Sequence, residues 1–193
     1  MLNCVGLADR YVPTGGAEPG DDVILTKRAA IEGTAILATD FRDLVTPAVD
    51  DAVLERGAKF YDDVSVIDDA AAVREFAHAM HDPTEGGLVD GLLEMAVASG
   101  VAMDVDPDAI PVAEETRQLA AAADVDPLRI FGSGALVASV PGEATDDALA
   151  ALEAAGVRGT VIGTVRESDE PRLEFGETTY REAVRDDMYA LWE

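Results

Sequence analysis

The chain has 193 residues, 48% of them apolar, and carries 39 Asp plus Glu against 14 Lys plus Arg for a formal charge of −25. That length suits one domain with a real core, and the apolar fraction excludes disorder as the default. So negative a chain excludes nucleic acid as an expected partner, because neutralising phosphates needs a basic face.

No apolar run reaches a membrane span and no signal-peptide pattern opens the chain, so no membrane partner is expected. The acid is spread in pairs such as Asp21-Asp22 and Asp186-Asp187, and no block forms an acidic tail. Salt near 1 M shortens the screening length to roughly 3 Å. The expectation is therefore a soluble cytoplasmic protein of a high-salt cell, the alternative being an ordinary acidic protein. Cys4 is the sequence's single cysteine, which excludes an internal disulfide and a cysteine-based zinc site; nothing around it suggests activation.

In chain order, residues 1–22 read as an irregular linker or the remnant of a preceding domain, punctuated by Pro13, Gly15, Gly16, Pro19 and Gly20. Val23–Thr26 is a short apolar run, expected as a buried strand. Helices are expected over Glu32–Thr39, from Pro47 through Val53 and Leu54, and over Asp68–Val73. Phe76, His78 and Met80 alternate with alanines, which predicts a strand. Leu88–Ser99 has helical spacing, with Gly100 as its C-cap. Val101–Val105 reads as a half-buried strand, and a helix follows Pro111. Ala135–Val140 is a strand, Thr145–Ala155 a helix, and Thr160–Val165 a strand with Leu173–Phe175 beside it. Tyr180, Val184, Met188 and Trp192 stand four apart, which predicts that the C-terminal tail, 168–193, is helical from Glu177 to Glu193 and packed on the body. The whole predicts an α+β domain over 23–167, a mixed β-sheet covered by helices, with some parallel crossovers.

Three segments are candidates for chemistry. In His81-Asp-Pro-Thr-Glu-Gly-Gly87 a strand ends and a helix opens at two glycines. Free N–H groups and the helix dipole there favour an anion, while Asp82 or Thr84 offers oxygen to a metal or a hydroxyl. The competing reading is a helix cap, with Glu85 three residues after Asp82 as in a capping box. Gly132-Ser133-Gly134 reads either as a pocket rim with Ser133 as donor or as a plain turn. Lys27, at the end of the first strand, reads either as a ligand-loop residue or as an ordinary exposed lysine. His78 and His81 lie on opposite faces of a strand, so no metal clamp is expected of them; His81 reads as an acid or base near the turn, or as a plain polar contact.

Taken together, Glu18 to Lys27 (EPGDDVILTK), Ile31 to Ala35 (IEGTA), His81 to Leu88 (HDPTEGGL), Ile110 to Val112, Asp126 to Leu128, Gly132 to Val137 (GSGALV) and Val161 to Gly163 resemble the C-terminal domain of the aminoimidazole ribonucleotide synthetase superfamily. The likeness spans residues 15–167 and is closest to the hydrogenase-maturation dehydratase branch. It implies an α+β domain that closes a cleft against an N-terminal, dimer-forming domain holding ATP and magnesium; a homodimer is left open. By position, Asp82, Thr84, Gly86 and Gly87 would line that cleft, with Gly132, Ser133, Gly134 and Lys27 near it. The implied activity is ATP-dependent activation of an oxygen substrate by phosphoryl transfer, with no cofactor expected on this chain alone and the N-terminal ATP-binding domain, or a second chain, as the missing partner. The alternative is a non-catalytic module binding a small phosphorylated ligand at the glycine turns. Three departures stand out: no N-terminal domain, Glu85 where the hydrogenase-maturation branch places arginine, and no terminal carrier cysteine.

Overall fold

A computed structural model describes residues 6–7 and 9–193; Cys4 lies outside the described residues. Among the described residues seven strands form one mixed sheet: β1 (Asp21–Thr26), β2 (Ala79–His81), β3 (Ala102–Val105), β4 (Val137–Pro141), β5 (Gly159–Arg166), β6 (Arg172–Phe175) and β7 (Thr178–Tyr180), in the order β2-β4-β1-β5-β3-β6-β7. Seven helices accompany it among the described residues: α1 (Ile31–Thr39), α2 (Arg42–Val45), α3 (Asp51–Ala58), α4 (Ile67–Val73), α5 (Gly87–Ser99), α6 (Glu114–Ala123) and α7 (Thr145–Ala154). The α+β expectation holds.

The period of two along the strands sorts the core. Val23, Leu25 and Val137 pack with α5 on one face, while Ile24, Ala138 and Val140 pack with α7 and Val73 of α4 on the other. A further cluster joins α1, α3 and α6 through Leu37, Leu54 and Leu119. At the start of β1, the carboxylate of Asp21 is buried and saturated. It accepts from Ser139 Oγ at 2.5 Å and Glu18 N at 3.0 Å, and His78 Nδ1 lies 3.0 Å away.

Several expectations are corrected. The sheet is mixed as expected, but Leu173–Phe175 pairs in parallel with β3, and the other five neighbouring strand pairs are antiparallel. Leu173–Phe175 therefore lies beside β3, not beside β5. The strand expected over Phe76–Met80 is displaced to Ala79–His81. Phe76 and Ala77 instead finish the last turn of α4, their N–H groups donating to Val73 O. Arg10 closes that helix end from a distance, donating to the carbonyls of Arg74, Glu75 and Ala77 at 2.9, 2.7 and 2.7 Å. A guanidinium thus satisfies the orphan carbonyls.

The sheet begins at Asp21 and takes in β6 and β7, beyond residue 167. The tail is not a helix. After β7 the chain runs irregularly to a 3-10 turn at Asp187–Leu191. The four-residue spacing still marks its inward side chains: Tyr180 and Val184 pack on the first cluster, Met188 is buried in another, and Trp192 meets Phe41 and Phe131 edge-on. An irregular strap reaches those contacts where a rigid helix would present one face to one neighbour.

Candidate functional site

The segments singled out in the sequence meet at one end of the sheet. β2 ends there before Asp82, β4 begins there after Gly134, and β1 ends there before Lys27. Gly132 N donates to Thr84 O at 2.9 Å, Gly33 N to Phe131 O at 3.0 Å and Glu32 N to Ser133 O at 3.1 Å. The Asp82–Gly87 turn, the Gly132–Gly134 turn and the start of α1 are therefore one hydrogen-bonded unit.

The glycines serve that union. Gly87 has φ +68°, and a Cβ there would stand 2.7 Å from the carbonyl oxygens of Leu128 and Ile130. A Cβ on Gly132 would stand 2.9 Å from Pro83 Cβ. Each glycine admits a neighbouring loop of the same chain at a separation no side chain permits.

The capping expectation is also corrected. Gly86 is the N-cap of α5, and no local side chain caps it, so the Asp82–Glu85 capping box does not form. The cap comes from one hundred residues away: Asp186 Oδ2 accepts from Gly86 N at 2.9 Å, and its Oδ1 accepts from Met188 N at 2.9 Å. Beside it, Asp90 Oδ1 accepts from Val184 N at 2.7 Å, and Asp126 N and Asp187 Oδ2 join at 3.1 Å. The inner side of the turn, expected to be open for a ligand, is filled by the chain's own tail. Its outer edge stays free: Asp82, Thr84 and Glu85 are exposed and Ser133 is half-buried.

The electrostatics follow. Burial raises the Asp186 carboxyl above 3.8, and its neighbours Asp187 and Glu85 add to the rise. Burial likewise raises Asp90. The Glu85 carboxylate beside the Tyr189 phenol pushes that phenol above its ordinary range. A bare phosphate does not fit this helix start, since the Gly86 N–H is taken and carboxylates stand around it. Asp82 and Thr84 leave carboxylate and hydroxyl oxygens on the exposed edge. Among the described residues no group of three or more His, Cys, Asp and Glu is placed to hold a metal on its own.

Removing the remote cap has a defined cost. Asp186→Ala strands two buried N–H groups, and we expect a loss of about 2–4 kcal/mol, read as a lower urea midpoint. The pH sign is the reverse of a salt-bridged carboxylate. As pH rises above 3.8 the unfolded chain releases this proton first, so the Asp186 contribution falls through the window just above 3.8 and then levels. Asp186→Asn should flatten that part of the stability profile; an unchanged slope would refute the burial.

Lys27 does not reach the turn. It sits at φ 54°, with its ammonium 3.2 Å from buried Asp69 and donating to the carbonyls of Asp63 and Ser65 at 3.1 and 2.7 Å. It is a structural staple, neither a free ligand residue nor an ordinary exposed lysine. The two histidines go to different partners: His78 to Asp21, and His81 Nε2 to Glu94 at 2.8 Å. The residues missed from sequence are Asp186, Asp90 and Pro83. The signal for Asp186 was its place in an acidic pair before an apolar turn, which is too common to stand out.

Fold and site define an α+β domain whose two interlocked glycine turns expose one acidic, hydroxyl-bearing edge at the end of a mixed sheet. Residues 18–176 match the model of the AIR synthase related protein, C-terminal domain, and the chain belongs to that family. It is 33% identical over 156 residues to the carbamoyl dehydratase HypE of Rhizobium leguminosarum bv. viciae, covering 79% of this chain and 43% of that protein. Two solved structures share the fold at 22% identity. The thiamine-monophosphate kinase from Stenotrophomonas maltophilia K279a has a TM-score of 0.69, over 90% of this chain and 54% of that one. The hydrogenase maturation protein HypE in complex with ATP has a TM-score of 0.65, over 93% and 55%. This chain thus spans about half the length of the proteins it matches. No helix among the described residues is long and apolar enough to cross a membrane.

Proposed function

We propose that this domain is the C-terminal portion of an ATP-dependent enzyme that activates an oxygen of its substrate by phosphoryl transfer. The observation that carries the reading is the family match together with the ATP-bound state of one relative. The exposed edge of Asp82 and Thr84, with Ser133 and Gly132–Gly134 behind it, supplies one wall of the reaction cleft. The opposite wall, with the main nucleotide contacts, comes from the rest of the length seen in the relatives, in the same polypeptide or in a second chain. Magnesium carried by the nucleotide would reconcile an acidic edge with a phosphate, and the chain's own part is to orient the substrate and exclude water.

The test is calorimetry of the 193-residue chain in molar salt with ATP and magnesium. We expect no micromolar binding and no hydrolysis from the chain alone, and both on adding a protein that supplies the N-terminal domain. Micromolar ATP binding or turnover by the chain alone would overturn the reading. So would a tight nucleotide-independent ligand held at the glycine turns and found by thermal shift, which would make this a self-sufficient binding module.

A further inference from the structure

Positive charge is scarce in this chain and unevenly placed. Four of its 14 Lys and Arg residues, Lys27, Arg28, Arg117 and Arg158, line one cavity of about 640 Å³. The cavity lies where β1 ends and β5 begins. An even spread would put about one cation among so few lining residues.

Two of the four are already engaged. Lys27 is held by Asp69, and Arg28 donates to Asp63 at 2.5 Å with its guanidinium 4.1 Å over the Phe60 ring. Arg117 and Arg158 are exposed and, among the described residues, form no ion pair. The buried Nε of Arg28 also lacks a hydrogen-bond partner among those residues. The lining carboxylates are Asp63, taken by Arg28, and exposed Asp108. With 39 carboxylates available to 14 cations, pairing is the easy outcome. Two arginines left unpaired in one cleft of so acidic a chain mark a place kept for an anion.

We infer that this cleft binds a small phosphate monoester. A phosphate carries close to two negative charges at neutral pH and matches the guanidinium fork, so two free arginines suit it better than a single carboxylate. Its organic part lies along the Ile110–Ala113 segment, which supplies an apolar wall. The site is separate from the glycine turns, where Asp82, Glu85 and Asp186 repel a bare phosphate. It stands whether or not the domain serves an ATP-dependent enzyme.

The experiment titrates inorganic phosphate and phenyl phosphate into the full chain at fixed ionic strength, following heat and 31P line width. Both probes should saturate, phenyl phosphate the more tightly. The Arg117→Glu/Arg158→Glu double variant should weaken both by at least about tenfold. Arg181→Glu makes the same reversal at one exposed arginine outside the cavity, half the charge change of the double variant, and should shift affinity by less than about twofold. If the double Glu variant does not fold, Arg117→Gln/Arg158→Gln replaces it. Failure of both probes to saturate below about 10 mM, or equal weakening by Arg181→Glu, overturns the inference.

Discussion

Raising potassium chloride from about 0.1 M to about 1 M is expected to lift the melting temperature by at least about 10 °C. The argument rests on the −25 charge. Spread over a sphere of roughly 21 Å radius, that charge costs about 20 kcal/mol at the longer screening length and about 8 at the shorter. For an unfolded coil of roughly 47 Å the figures are about 5 and about 2 kcal/mol. Screening therefore favours the fold by on the order of 9 kcal/mol, and counterions held at the carboxylate pairs reduce that figure. A domain of this size gains about 2–4 °C per kcal/mol, which sets the stated floor. Scanning calorimetry across the salt series checks it. A flat melting temperature would show that repulsion does not limit stability, and the high-salt reading of the composition would fall with it.

Lys27→Ala is expected to destabilise the domain by about 3–5 kcal/mol. Asp69 is buried, and its Oδ1 already lacks a partner among the described residues. Removing the ammonium leaves a buried charge uncompensated and takes a donor from the carbonyls of Asp63 and Ser65. The second arm is the Lys27→Met/Asp69→Leu variant, which removes both charges and should recover most of the loss. Urea midpoints at constant salt give both values. If Lys27→Ala matches the parent, or the double variant is weaker than the single one, the pair is not the staple described.

These cases show where local reading stops. Lys27 stands out in the sequence because lysine is rare, but its partner comes 42 residues later and no periodicity points to it. The Gly86-Gly87 turn is legible as a helix start because glycine pairs mark positive φ and close approach. What approaches is not legible. The sequence suggests a ligand or a capping box, and the molecule supplies Asp186 and the Leu128–Ile130 backbone. Phe76–Met80 alternates like a strand, yet the end of α4 captures Phe76 and Ala77, with Arg10 sealing the turn.

Composition and spacing alone determined the α+β class, most of the helices, the strands at 23–26 and 160–165, and the three segments that meet at the sheet end. Those features follow from the period of two or 3.6 and from glycine's conformational range, which act between near neighbours. Only the tertiary structure decided the strand order, the parallel β3–β6 pair, the irregular tail, the tail's closure of the glycine turn, and the gathering of four cations around one cavity. Each of these joins residues far apart in the chain, and their burial and hydrogen bonds exist only once the sheet has brought them together.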